Sequence, residues 1–142
     1  MFSKILVALD HSNADQVLLP RVKQLASMSG AGIVLLHVST GWAAQWQQDL
    51  NLTDSIEIKE DRDYLDGLAK KLEQEGFQVT TRHASGKASS EILRVARAEN
   101  CDLIAMTTHG HRLLRDLIYG ETIEAVRHES EIPLFLVRAA RQ

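Results

Sequence analysis

Four stretches of this chain are apolar almost without interruption. They are Ile5-Leu6-Val7-Ala8-Leu9, closed by Asp10; Gly32-Ile33-Val34-Leu35-Leu36-His37-Val38, closed by Ser39-Thr40-Gly41; Leu103-Ile104-Ala105-Met106; and Leu134-Phe135-Leu136-Val137. A strand with one wet face alternates apolar and polar residues. Runs without that alternation suit strands covered on both faces, the condition of a parallel sheet sandwiched between helices. A fifth stretch, Phe77-Gln78-Val79-Thr80-Thr81-Arg82, does alternate and reads as an edge strand with one exposed face.

Helical periods separate these runs. Between Ala14 and Met28, residues Val17, Leu18, Val22, Leu25 and Ala26 fall at helical spacing, with Pro20 expected to bend that helix or delay its start. Residues 56–75 carry Leu65, Leu68, Ala69 and Leu72 on one stripe and stop at Gly76. A third helix over Ser89–Glu99 carries Ile92, Val95 and Ala96, and a fourth over Thr122–Glu129 carries Ile123 and Val126, with Pro133 blocking continuation. Strand and helix alternating in this way predict βαβ units in one open, doubly wound, Rossmann-like α/β sheet.

The 142 residues fit one domain spanning 1–142, and a chain of this length buries enough surface to fold without a disulfide or metal. Sixteen Lys+Arg against 19 Asp+Glu give a net charge of −3, which argues against a nucleic-acid binder with its clustered basic excess. The single cysteine, Cys101, permits no intramolecular disulfide and reads as a small buried residue. No apolar stretch approaches the roughly 20 residues of a membrane helix, and the first apolar run is too short for a signal peptide's core, so a soluble, cytoplasmic protein is expected.

In open α/β sheets ligands sit beyond the carboxyl ends of the strands, where strand order reverses. The strand endings Ala8-Leu9-Asp10-His11-Ser12, His37-Val38 and Met106-Thr107-Thr108-His109-Gly110 are therefore the places to look. Asp10 can accept hydrogen bonds from a ribose hydroxyl, and the backbone beside Val38 can take the polar edge of a base. Gly110 and Gly120 bracket a segment that returns to an expected helix start at Gly120-Glu121-Thr122, where amides and helix dipole favour phosphate. The plainer reading makes Gly110 a turn glycine and Gly120 a helix-start glycine.

Taken in order, Ile5 through Ser12, Leu36-His37-Val38, Asp102 through Gly110, Gly120 and Ile132 through Arg138 resemble the universal stress protein family over essentially the whole chain. The resemblance implies a five-stranded parallel sheet in the order 3-2-1-4-5 and a homodimer. In one branch it implies ATP bound through a G-x-x-G-x9-G-[ST] loop; another branch lacks the loop and binds no ATP. Here Gly110 and Gly120 match the second and third glycines with the nine-residue gap intact, Thr107 stands at the first, and Glu121 stands at the Ser/Thr position. The Thr107 Cβ crowds the backbone near ribose and phosphates while its hydroxyl can donate. A carboxylate at Glu121 repels phosphate unless a cation such as Mg²⁺ bridges them. Thr122 offers a displaced hydroxyl.

The implied roles place Ala8 and Val38 around the base, Asp10 on the ribose, Thr107 and Gly110 along ribose and α-phosphate, and Gly120, Glu121 and Thr122 at the remaining phosphates, with Met106 also among the expected binding residues. The expected ligand is an adenine nucleotide (ATP, ADP or AMP), a mono- or diphosphate more readily than ATP, acting as a regulatory ligand in a stress response. The alternative is a nucleotide-free dimeric module that works through a protein partner, a reading that Thr107 and Glu121 favour.

Catalytic readings are weaker, a slow ATPase at most. Ser85-Gly86-Lys87-Ala88-Ser89 matches the end of a phosphate-binding P-loop, but Thr81 replaces its first glycine and Ala88 its hydroxyl, so a turn before the third helix is expected. His109 and His111 lack an identifiable third metal ligand, and His37, among apolar neighbours, reads as a core histidine. The segment 39–55, with Trp42 and Trp46 four apart, reads as a lid or, preferably, as a short packed helix. By the family's strand order Leu134-Phe135-Leu136-Val137 falls at a sheet edge, which invites an antiparallel pairing with its own copy.

Overall fold

In the computed structural model, residues 1–39, 56–108 and 113–139 are described. They form β1 (Lys4–Leu9), α1 (Ala14–Ser29), β2 (Gly32–Ser39), α2 (Ile56–Gln74), β3 (Val79–Ser85), α3 (Ala88–Ala98), β4 (Leu103–Thr107), α4 (Leu113–Glu129) and β5 (Leu134–Val137). The five strands pair in parallel in the order β3-β2-β1-β4-β5. The doubly wound sheet expected from the apolar runs is therefore the architecture found, with β3 and β5 at its edges. No helix among the described residues is long and apolar enough to cross a membrane.

The uninterrupted run in β1 has a direct cause: alternate side chains enter different cores. Ile5, Val7 and Leu9 pack with Ile33 and Leu35 against Leu18, Val22 and Ala26 of α1 and Leu65, Ala69 and Leu72 of α2. Leu6 and Ala8 pack with Val34, Leu36, Ile104 and Met106 against Ile92, Val95 and Ala96 of α3 and Val126 of α4. Burying each large aliphatic side chain contributes about 1.5–3 kcal/mol, so a polar residue at any of these positions would cost one core or the other.

Local signals set most boundaries. α1 ends at Gly30, which takes φ 70° and donates its amide to the Ala26 carbonyl at 2.8 Å, a left-handed cap that glycine adopts without steric cost. Pro20 lies inside α1 and does not delay its start, which falls at Ala14. Gly86 at φ 135° turns the chain from β3 into α3, the turn expected at Ser85-Gly86-Lys87.

One boundary differs from expectation. α4 begins at Leu113 rather than Thr122. Leu113-Leu114-Arg115-Asp116-Leu117-Ile118-Tyr119 contains no helix breaker, and one interior glycine costs a helix only about 1 kcal/mol, so the helix runs through Gly120.

Candidate functional site

Strand order reverses between β1 and β4, so the crevice beyond their carboxyl ends is the ligand position the topology provides. Ala8 and Met106 lie in the α3–α4 core, and Val38 and Ile123 pack against it, so Ala8, Val38 and Met106 share one sheet face. Asp10 follows β1 directly and is buried, with Ser12 Oγ donating to its Oδ2 at 2.9 Å. Thr107 is buried at the end of β4, but strand alternation sets its side chain on the opposite face from Met106, leaving its backbone at the crevice. The Thr108 amide donates to the Val137 carbonyl at 2.9 Å.

Gly120, Glu121 and Thr122 are brought into α4, seven to nine positions beyond its first residue, instead of opening it. Their amides fall within the helical ladder, and the dipole end of the helix stands at Leu113. Glu121 is exposed and Thr122 buried. Gly110, His109, His111 and the segment from Thr40 to Ser55 with Trp42 and Trp46 lie outside the described residues.

The turn that carries Asp10 is held from below by Asp15, a residue that sequence reasoning passed over. Its carboxylate accepts the amides of Asp10 and His11, each at 2.8 Å, and the Tyr64 hydroxyl at 2.7 Å. Burial pushes the Asp15 pKa up, against the opposing pull of these hydrogen bonds. Tyr64 is raised as well, by its own burial and by the Asp15 charge. His11 takes a left-handed φ of 55° and stacks on the Tyr64 ring with centroids 4.0 Å apart. The available signal was an acid in the first turn of the first helix; the partners come only with the fold.

A second polar group stands on the α1–α2 face. The parallel register places Leu9, His37 and His83 side by side on three adjacent strands. The His37 and His83 rings stack with centroids 5.6 Å apart. Asp61, in the N-terminal part of α2, reaches both histidine-bearing strand ends: its Oδ1 meets His11 Nδ1 at 2.5 Å and its Oδ2 lies 3.6 Å from His37 Nδ1. Ser39 Oγ lies 3.1 Å from His83 Nε2. Burial, then the neighbouring His37, lowers the His83 pKa and favours its neutral ring. His37 is thus a member of a polar cluster, which corrects its reading as a core histidine. Cys101 is buried as expected, and burial pushes its thiol up to about 11, which keeps it protonated and inert. A wide surface groove lined by Pro20, Met28, Phe77 and Phe135 contains none of these site residues.

Residues 1–138 match the model of the universal stress protein family. The chain belongs to that family. It is 26% identical to the universal stress protein MJ0577 of Methanocaldococcus jannaschii, over 97% of this chain and 96% of that one. The solved structure of MJ0577 superposes with a TM-score of 0.83, covering 99% of this chain and 98% of the other at 27% identity. A universal stress protein from Archaeoglobus fulgidus in complex with dAMP matches at TM-score 0.69 and 17% identity, over 94% and 96% of the two chains. A universal stress protein in complex with cAMP matches at TM-score 0.70 and 14% identity, over 98% and 99%. The last two likenesses establish the shared fold.

Proposed function

We propose that this chain binds an adenine nucleotide at the carboxyl ends of β1, β2 and β4 and uses it as a regulatory ligand in a cytoplasmic stress response. The observation that carries the reading is the pairing of an apolar floor, Ala8, Val38 and Met106, with the buried carboxylate of Asp10 at the point where strand order reverses. The floor suits a purine and the carboxylate a ribose hydroxyl. Family members solved with dAMP and cAMP support the choice of adenine nucleotides. Thr107 and Gly110 would follow the ribose and α-phosphate; Gly120, Glu121 and Thr122 would approach any further phosphates, with Mg²⁺ offsetting the Glu121 charge. Because the Gly120–Thr122 amides lie inside α4, a monophosphate is held more readily than ATP.

That same placement favours a second reading, a nucleotide-free dimeric module acting on a protein partner. Mass spectrometry of the denatured protein after mild purification separates the two: co-purified AMP, ADP or ATP supports the first, and its absence together with no binding of added nucleotide leaves the second. Both readings share a homodimer through β5, an edge strand whose Leu136 is 41% exposed. Leu136→Pro removes a cross-strand donor. It is expected to turn the dimer into a monomer in sedimentation; a wild-type monomer, or a dimeric variant, contradicts the pairing.

A further inference from the structure

We propose that His37, Asp61 and His83 form a binding site for a divalent transition metal of the zinc type, on the sheet face opposite the proposed nucleotide crevice. Each residue offers one ligand atom, and all three atoms lie within 4.8 Å of one another. Zinc bonds of about 2.0–2.2 Å to nitrogen and oxygen set tetrahedral ligand atoms roughly 3.4 Å apart. His37 Nδ1 and Asp61 Oδ2, at 3.6 Å, already meet that spacing. His83 sits on an edge strand, where a small side-chain movement closes the set.

The chemistry of the donors fits: two imidazoles and one carboxylate favour zinc over calcium or magnesium, which take oxygen ligands. Outer partners are also present. His11 Nδ1 holds the second oxygen of Asp61, and Ser39 Oγ lies 3.1 Å from His83 Nε2, as hydrogen-bond partners do for the ligands around bound metals. The side chains of His37 and Asp61 are 12% and 17% exposed, sheltered yet reachable by an ion. The register that aligns His37 with His83 and the α2 turn that brings Asp61 over them make the triad a product of the fold.

Titration of the chelator-treated full chain with Zn²⁺ tests the site. One ion per chain is expected, with affinity falling at least about tenfold in each of His37→Gln, His83→Gln and Asp61→Asn. Affinity should be unchanged in His128→Gln, whose ring meets Glu124 on the exposed face of α4. No Zn²⁺ uptake overturns the proposal, as does uptake undiminished by the three substitutions, or uptake removed instead by His109→Gln or His111→Gln. Should the triad variants fail to fold, ring-nitrogen NMR of the wild-type chain decides: His37 and His83 resonances shift with one equivalent of Zn²⁺ if the site is real, and unmoved resonances refute it.

Discussion

On the α1–α2 face, the strand ends carry paired polar groups: Asp15 accepts three hydrogen bonds of 2.7–2.8 Å, and Asp61 meets His11 through one oxygen while the other lies 3.6 Å from His37 Nδ1. On the α3–α4 face, Ala8 and Met106 belong to the apolar core that Val38 packs against, next to the buried Asp10. The first arrangement fixes a turn and gathers metal-type ligands; the second is the apolar surface to which the proposed nucleotide is assigned. Removing Asp15 from the first face should therefore act on folding, and removing Asp10 from the second on nucleotide binding.

The largest expected effect comes from Asp15→Ala. It leaves two buried or half-buried amides and the Tyr64 hydroxyl without their acceptor, a loss of about 2–4 kcal/mol in urea unfolding. A loss below about 0.5 kcal/mol would mean that the turn is held by other contacts and would break the contrast. Asp10→Ala should separate the faces the other way. It should weaken adenine nucleotide binding about tenfold or more, roughly 1.4 kcal/mol, while the unfolding midpoint moves less than in Asp15→Ala. Equal effects on stability with no effect on affinity would remove Asp10 from the site.

The acid limb of the stability profile sharpens the comparison further. Asp15 has a folded pKa raised above 3.8, chiefly by burial, so the native state takes up its proton first. Its share of stability grows as pH falls through the folded value and is complete below 3.8. At the other end of the sheet burial opposes the charge of Asp102, yet the Ser3 and Lys4 amides and the Ser3 hydroxyl outweigh it and lower its pKa. That contribution is present above 3.8 and lost as pH falls through the folded value. The difference in stability between wild type and Asp15→Asn should thus change in favour of wild type on acidification from neutral pH, and that between wild type and Asp102→Asn should shrink. Urea melts from neutral pH down to the acid limit check both signs.

These elements show what a single sequence reveals. The strands were legible because burial on both faces leaves an uninterrupted apolar run, visible in Ile5–Leu9 without any knowledge of partners. The placement of Ala8, Asp10 and Met106 at the ends of β1 and β4 was legible because a strand's end is local. The start of α4 was not: Gly120 followed by Glu121 and Thr122 looks like a helix opening, and only the helix-compatible Leu113–Tyr119 before it shows otherwise. The His37–Asp61–His83 triad left no local trace, because strand register and a distant helix turn assemble it. His37 in isolation has only apolar neighbours in sequence.

The proposed nucleotide site is tested most directly by thermal unfolding with millimolar AMP, ADP and ATP, each with Mg²⁺, over a range of ligand concentrations. A ligand that binds the native chain stabilises it by about 2.7 kcal/mol at one hundred times its dissociation constant. The expected result is a concentration-dependent rise in melting temperature, larger for AMP than for ATP and reduced by Asp10→Ala. A melting temperature unmoved by all three nucleotides contradicts nucleotide binding at this crevice.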